Sequence, residues 1–166
     1  AALTQIKGKH QTAIAIQNPR KLSTVKAALS EEAELMGDGA YYQWMIGSGA
    51  KAKQILGIGY HGATCLLRNW KNCSAEIERV ELSGRDTILH AAFIDYETNV
   101  SIVRTYKIDM VQTVAGIYGN YSQGRKQDMA WQIAQSKALR NVILSGVPKW
   151  AQDTLLDSAM NSVREK

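Results

Sequence analysis

Residues 73–111, with the sequence CSAEIERVELSGRDTILHAAFIDYETNVSIVRTYKIDMV, decide the fold of this chain. They contain three runs with the alternating, β-branched composition of strands, which are 73–82, 87–96 and 100–111. The segment 83–86 is typical of a turn, and 97–99 is a tight turn in which Asn99 tolerates a positive φ. Long strands joined this closely predict an extended antiparallel β-hairpin.

Helical and strand-like patterns flank this region on both sides. On the N-terminal side, residues 12–16 show a β-like alternation and residues 40–46 an aromatic-rich strand. Between them, residues 19–35 predict a helix with Asn18 as its cap and Pro19 as its first residue. Further helices are predicted from Gly59 to about Trp70 and over 127–145 and 150–164, and the Gly-rich stretch 112–126 is predicted to be a mobile loop. The order β–α–β–α–β–β–β–α–α predicts an α+β fold with a mainly antiparallel sheet, in which the hairpin packs on the helix 127–145.

The composition fits one globular, water-soluble domain. A length of 166 residues is enough for one well-buried domain and short for two, and 45% apolar with 21% charged residues is an ordinary globular balance. No run approaches the ~18 apolar residues of a membrane helix, and Ala1 to Thr4 show no signal-peptide pattern. We therefore expect a cytoplasmic protein. The net charge of +5 favours polyanionic partners without identifying one.

The residues that usually carry catalysis or bind metals form no recognisable pattern. The only cysteines, Cys65 and Cys73, match no zinc spacing and are expected to be reduced thiols near a core. The three histidines are scattered, and Asp95 and Glu97 flank a turn, where we expect them to be solvated. No nucleophile–base arrangement follows from spacing. We expect a protein that is not an enzyme, without catalytic residues, metal or cofactor.

A glycine motif favours one possible function, that of a nucleotide-binding enzyme. Gly57 to Gly62 match the G-x-G-x-x-G dinucleotide pattern, a helix follows, and Glu78 lies at a suitable distance to contact a ribose. However, Lys51 to Leu56 make a poor buried parallel strand, and antiparallel hairpins follow the motif. Gly47 to Lys51 resemble a phosphate loop only loosely. Another possible function is that of a structural protein that forms oligomers without binding DNA.

The helix 127–145 has two chemically different faces. On a helical wheel, cationic, amide and hydroxyl side chains share one side, namely Gln132, Ser136, Lys137, Arg140 and Asn141. The opposing side is apolar or small, with Trp131, Ala134, Ala138, Val142 and Ser145. Arg140 suits phosphate because its planar fork donates two parallel hydrogen bonds, whereas Lys137 acts as a point charge. An ordinary solvated face explains the same residues equally well.

Further cations lie in predicted loops and are interleaved with aromatic residues. The cations are Lys51, Lys53, Arg68, Lys71, Arg125 and Lys126, and the aromatic residues are Tyr41, Tyr42, Trp44, Tyr60, Trp70, Tyr118 and Tyr121. A protein that binds single-stranded nucleic acid needs cations that contact the phosphate backbone and aromatic side chains on which the bases stack. The size of tryptophan favours a core position for Trp44 and Trp70. Tyr118 and Tyr121, in a Gly-rich segment, are expected to be exposed.

An ordered set of motifs over roughly 40–160 resembles a known protein family. The set consists of the turn DYETNV (95–100) between two strands, a basic loop, and the helix AQSKALRNVIL (134–144) followed by Val147-Pro148. It is similar to the phage recombinases that anneal single strands, the Red beta, RecT and Erf groups, and to their eukaryotic recombination-mediator relatives. Ser136 stands where a further cation can occur in that family, and residues 1–40 show no match.

The resemblance implies a β-β-β-α core over 40–147, preceded by an arm and helix (1–39) and followed by a C-terminal helix (148–166). It implies ATP-independent annealing of complementary strands in recombination by an oligomeric ring or filament, encoded by a phage and acting in the host cytoplasm. Lys137 and Arg140 fall where the family places cations that bind the DNA backbone. The implied partners are single-stranded DNA, the annealed duplex and further copies of the chain, and the candidate protein partners are a phage exonuclease or a host single-strand-binding protein.

Overall fold

The computed structural model describes residues 2–166, which form an α+β fold with two antiparallel sheets. In chain order the elements are α1 (Ala2–Gln17), α2 (Leu22–Met36), β1 (Tyr41–Ile46), β2 (Lys53–Ile58), α3 (Tyr60–Trp70), β3 (Cys73–Ser83), β4 (Asp86–Asp95), β5 (Val100–Asp109), α4 (Met110–Ala115), α5 (Gln123–Gly146) and α6 (Lys149–Arg164). The predicted fold class is confirmed. Within residues 2–166, no helix combines the length and apolarity needed to span a membrane.

The larger sheet is the predicted hairpin with one additional strand. Its order is β3-β4-β5, and both pairings are antiparallel. The turns are made by Gly84 and Asn99, which have φ values of 62° and 56°, so the expected positive φ of Asn99 is confirmed. On one face of the central strand, Leu89, Ala91 and Phe93 are fully buried. That face is the side on which the helices pack.

Helix α5 lies close to this buried face because its contact residues are small. Ala134, Ala138 and Val142 repeat every four residues and are buried, as the helical wheel predicts. At the helix end, a Cβ on Gly146 would overlap the ring of Phe93, so only glycine permits this approach. Helix α3 packs beside α5, and α2 and α6 pair on the outer side. One hydrophobic cluster runs through all these layers.

The smaller sheet corrects the prediction for residues 47–56. β1 is confirmed, but Lys51 and Lys53 were expected to lie in a loop, and residues 51–56 were expected to make a poor buried parallel strand. Instead β2 pairs antiparallel with β1, with Tyr41 opposite Ile58 and Ile46 opposite Lys53. Most of this two-stranded sheet is exposed, so its strands need no continuous apolar run. The comparison with a buried parallel strand was therefore the wrong test for β2.

The N-terminal predictions also need correction. Residues 12–16 belong to α1, not to a strand, and the only residue of α1 that is buried is Ala15. Because several of its apolar side chains face solvent, no helical burial pattern marks α1 in the sequence. Helix α2 begins at Leu22, not at Pro19. The backbone N–H of Arg20 donates to the carboxylate of Glu97, which holds this residue outside the helix.

About half of the segment expected to be one mobile loop is helical. Asp109 caps α4 by accepting hydrogen bonds from the N–H groups of Val111 and Gln112. Ser122 caps α5 by accepting from the N–H of Arg125, so α5 starts four residues before the predicted position 127. Only residues 116–122 lie between the two helices. Both helix starts carry a capping residue that the composition of the segment obscured.

A buried ion-pair cluster around Arg20 joins the N-terminal region to the β4–β5 turn. The Arg20 side chain is only 5% exposed, and its guanidinium lies 3.1 Å from Asp95 Oδ2 and 3.4 Å from Glu97 Oε2. It also donates to the carbonyls of Trp70 and Lys71, and it stacks 3.9 Å from the Trp70 ring centroid. The expectation that Asp95 and Glu97 are solvated turn residues is therefore wrong.

The contacts in this cluster lower the pKa of Asp95. Burial alone would raise the pKa of Asp95. Hydrogen bonds from Arg20, from the N–H of Glu97 and from the Trp70 indole, together with the charge of Arg20, lower it below its ordinary value. The carboxylate is therefore ionised in the folded protein at neutral pH. The turn motif that supports the family resemblance is thus a structural junction of this fold.

Candidate nucleic-acid interface

A groove of about 350 Å³ lies where α5 meets the edges of both sheets. β1, β5 and α5 line it with aromatic, cationic and amide side chains, which are Tyr42, Trp44, Tyr106, Lys137, Arg140 and Asn141. No carboxylate is among these lining residues. The two cations that the sequence singled out on the helix are thus brought together with aromatic residues from two distant parts of the chain.

The packing of α5 explains why Lys137 and Arg140 face this groove. Burial of the alanine row against the sheet fixes the rotation of the helix, and positions 137 and 140 are neighbours on its flank at i and i+3. Neither side chain forms a salt bridge with any of residues 2–166. In contrast, Arg68 pairs with Glu32. The positive charge of Lys137 and Arg140 is therefore not neutralised within the described chain.

Arg140 is held in place by neutral groups. Its Nη1 lies 3.4 Å from the Tyr42 hydroxyl, and its Cζ lies 5.4 Å from the centroid of that ring. Its Nε is buried and has no hydrogen-bond partner among residues 2–166. A buried donor without an acceptor costs about 1–3 kcal/mol, and more when it carries charge. The guanidinium is thus positioned by Tyr42 and has no carboxylate partner among residues 2–166.

Tyr42 and Trp44 form a stacked pair on the groove face of β1. Their ring centroids are 5.0 Å apart, with an angle of 23° between the planes. Gly57, directly opposite Tyr42 in the register, leaves room for the Tyr42 ring, since a Cβ there would overlap it. Trp44 is 52% exposed, so its expected core position is wrong, whereas Trp70, at 6%, is in the core as predicted.

Arg104 is a cation at this surface that the sequence analysis missed. It lies two residues before Tyr106 on β5, so both side chains point to the same face of the strand. Its Nη1 donates to the Ser145 hydroxyl at 2.9 Å, one helical turn beyond Asn141. The alternation of β5 places residues 104 and 106 together, but only the packing of α5 reveals that this face meets Lys137 and Arg140.

Two other predicted cations lie on the same side as the groove. Lys53 faces Ile46 in the register and therefore shares the face of β1 and β2 that carries Trp44. Lys126 precedes Lys137 by eleven positions, close to three full helical turns, so both lie on one face of α5, ~16 Å apart along the axis. Arg125, one position earlier, points about 100° away from Lys126.

The remaining predicted site residues lie elsewhere on the surface or in turns. Lys51 is exposed in the β1–β2 turn, and Tyr118 and Tyr121 are 91% and 48% exposed before α5, as expected for this Gly-rich segment. Arg68 lies on α3, where Glu32 of α2 occupies its guanidinium and raises its pKa. Lys71 follows α3 beside the Arg20 cluster. Neither Arg68 nor Lys71 lines the groove.

The comparison with known proteins adds no assignment. No model of a protein family matches this chain, and none of the curated proteins matches it either. The groove is therefore interpreted from its own chemistry.

The glycine motif between β2 and α3 has a packing role in this structure. β2 pairs antiparallel with β1, and the described sheets contain no parallel strand pair. Gly57 makes room for Tyr42, and a Cβ on Gly62 would overlap the carbonyl of Ala40 and the side chain of Ile58. The strand–glycine–helix order of a dinucleotide motif is present, but the parallel sheet in which such motifs bind a cofactor is not.

Proposed function

We propose that this protein binds single-stranded DNA in the groove between α5, β1 and β5, and that it anneals complementary strands without ATP. The observation that carries the proposal is the pairing of two unneutralised cations, Lys137 and Arg140, with exposed aromatic surface in a groove lined by no carboxylate. Phosphates supply the acceptors for the cations, and unpaired bases supply partners for the rings. The resemblance to phage annealing proteins points to the same activity.

Annealing requires little of the protein beyond these contacts. Two complementary strands repel each other through their phosphates, and a cationic groove lowers that repulsion. Base pairing then supplies the free energy, which explains why no nucleotide cofactor is needed. Contacts to the backbone carry no sequence information, so the binding is sequence-tolerant and sensitive to salt.

Oligomerisation is part of the proposal, because one groove of this size holds few nucleotides. Several large apolar side chains are exposed on α1 and on the β1–β2 hairpin, including Leu3, Ile6, Ile16, Met45 and Ile46. Exposed apolar surface of this kind is typical of contacts between chains. Assembly into a ring or filament would join many weak backbone contacts into stable binding through avidity. A phage origin, a role in recombination, and a phage exonuclease or host single-strand-binding protein as partner belong to this same proposal.

The decisive experiment removes both groove cations. Lys137→Ala/Arg140→Ala is compared with Lys26→Ala/Arg164→Ala, which removes the same two residue types from exposed positions on α2 and α6, away from the sheets. Fluorescence anisotropy with a labelled strand is measured over a range of salt concentrations. For the groove variant we expect weaker binding and a salt slope reduced by about 0.7 for each phosphate that the variant no longer neutralises. The control variant should behave as wild type.

Annealing and assembly are measured on the same variants. Energy transfer between two labelled complementary strands reports annealing in the absence of ATP, and size-exclusion chromatography with and without DNA reports assembly. Loss of annealing in the groove variant, with circular dichroism unchanged, supports the proposal. Wild-type annealing by a correctly folded groove variant overturns the role of these residues. Assembly that ignores DNA, together with no strand binding by the wild type, favours a structural protein instead.

A further inference from the structure

We propose that Trp44, supported by Tyr42, is a stacking platform for one unpaired base of the bound strand. The inference rests on the proposed function and deepens it, because it assigns the groove a subsite for the base beside the cations that hold the phosphate. It also implies that the groove distinguishes a single strand from a duplex.

The first argument is the position of Trp44. Tryptophan is the largest apolar side chain and is usually well buried, but Trp44 remains 52% exposed on a paired strand. Met45 and Ile46, which follow it, are also exposed, so the hairpin end does not pack into the core. The ring is thus presented at the surface by backbone that the β1–β2 pairing holds in place.

The second argument is that neighbouring side chains contact the Trp44 ring and hold it in place. Tyr42 stacks on Trp44, and Arg140 holds Tyr42 through its hydroxyl and ring. Gly57 allows the Tyr42 ring to lie against the neighbouring strand. Arg140 therefore contacts Tyr42, Tyr42 contacts Trp44, and Trp44 is 52% exposed. A base that stacks there removes little additional freedom from the protein, because these side chains are already held in place.

The third argument is the relation between the platform and the cations. Lys137 and Arg140 line the same groove as Trp44, and Lys53 lies at the end of the same face of the hairpin. A nucleotide has its phosphate beside its base, so one residue of a strand can contact both groups. Stacking uses the face of the base and leaves its pairing edge free. A complementary strand can therefore still be recognised.

A base inside a duplex is stacked on both faces by its neighbours. It cannot also stack on Trp44 unless the duplex opens. Stacking on Trp44 therefore occurs with a single strand and ends as annealing proceeds, which lowers the affinity for the product relative to the substrate. Since every base has an aromatic face, the subsite is tolerant of sequence.

The test uses Trp44→Ala and Trp44→Phe with two oligonucleotides of equal length, one normal and one in which abasic residues retain all phosphates. We expect Trp44→Ala to bind the normal strand about 5- to 150-fold more weakly than wild type, and to bind duplex with nearly unchanged affinity. Trp44→Phe should retain most of the affinity. Wild type should bind the abasic strand as weakly as Trp44→Ala binds the normal strand. Trp150→Phe, at another partly exposed tryptophan, is the control.

The outcomes separate this inference from the proposed function. Wild type that binds both oligonucleotides equally refutes the platform while leaving backbone binding intact. Wild type that binds neither refutes the proposed function itself. A change in sedimentation of Trp44→Ala without a change in strand affinity would place Trp44 in an interface between copies, and would overturn the inference. If Trp44→Ala does not fold, Trp44→Phe and the abasic strand still decide the question.

Discussion

Replacing Arg20 by alanine should destabilise the protein far more than a comparable change at a surface arginine. The replacement leaves the carboxylates of Asp95 and Glu97, whose side chains are 8% and 17% exposed, without their cation. It also leaves the carbonyls of Trp70 and Lys71 without the donor that they share. Removing one partner of a buried ion pair costs about 3–5 kcal/mol, because the remaining charge is buried without compensation.

The chain provides its own matched control for this prediction. Arg68 also pairs with a glutamate, Glu32, but the arginine side chain is 57% exposed. An exposed pair contributes about 0.2–1 kcal/mol, and Asn69 continues to hydrogen-bond Glu32 when Arg68 is absent. Arg68→Ala should therefore change the free energy of unfolding only slightly.

Urea unfolding followed by tryptophan fluorescence measures both variants. For an m-value of about 2 kcal/mol/M, a loss of ~4 kcal/mol lowers the midpoint of Arg20→Ala by roughly 2 M. Arg20→Lys keeps the charge but loses the planar fork, and should lie between alanine and wild type. Equal midpoints for Arg20→Ala and Arg68→Ala would refute the reasoning, because burial would then make no difference to these two ion pairs.

Three further predictions follow from the packing and the ionisation of buried groups. The folded pKa of Asp95 is lowered, so the contribution of Asp95 to stability is complete above the unfolded pKa of about 4 and is lost as the pH falls through the folded pKa. Denaturant unfolding measured below pH 5 should therefore show a steeper loss of unfolding free energy with falling pH for wild type than for Asp95→Asn. Gly146→Ala should reduce the free energy of unfolding by about 1–3 kcal/mol, because the new methyl group pushes α5 away from Phe93, and denaturant titration at an unchanged m-value checks this. Burial raises the pKa of both Cys65 and Cys73 to about 12, so a thiol reagent at pH 8 should modify both slowly in the native protein and rapidly in urea. Rapid native labelling would contradict the burial of Cys65 and the raised pKa of the half-buried Cys73.

The parts of the fold that the sequence predicts are those in which the signal is local. The central strand β4 carries alternation and the helix α5 a four-residue repeat, and the burial of their side chains follows both patterns. β2 and α1 were missed because most of their side chains are exposed, so neither shows a period. Capping by Ser122 moves the start of α5 four residues earlier than predicted, and capping by Asp109 begins α4 where a strand end and a loop were expected; composition alone resolves neither.

The candidate site was predictable only in part, and for a related reason. Lys137 and Arg140 were identified because a single helix brings them together. Their aromatic neighbours come from far along the chain, since Tyr42 and Arg140 are separated by 98 positions. Residue size predicted a core position for both Trp44 and Trp70, but Trp44 lies at the surface and only Trp70 is in the core. The Arg20 cluster, which joins positions 77 apart, was hidden for the same reason.

The distribution of arginine partners carries more information than the net charge of +5. Away from the groove, four arginines lie next to carboxylates, and these are Arg20, Arg68, Arg79 and Arg85. At the groove, Arg104 donates to a serine hydroxyl and Arg140 to a tyrosine hydroxyl, neither of which neutralises charge. An ion pair contributes little field beyond a Debye length, about 8 Å at physiological salt, whereas an unpaired cation keeps its full charge. Arg104 and Arg140 therefore keep their charge beside the aromatic surface, and the proposed single-stranded ligand would meet both at that place.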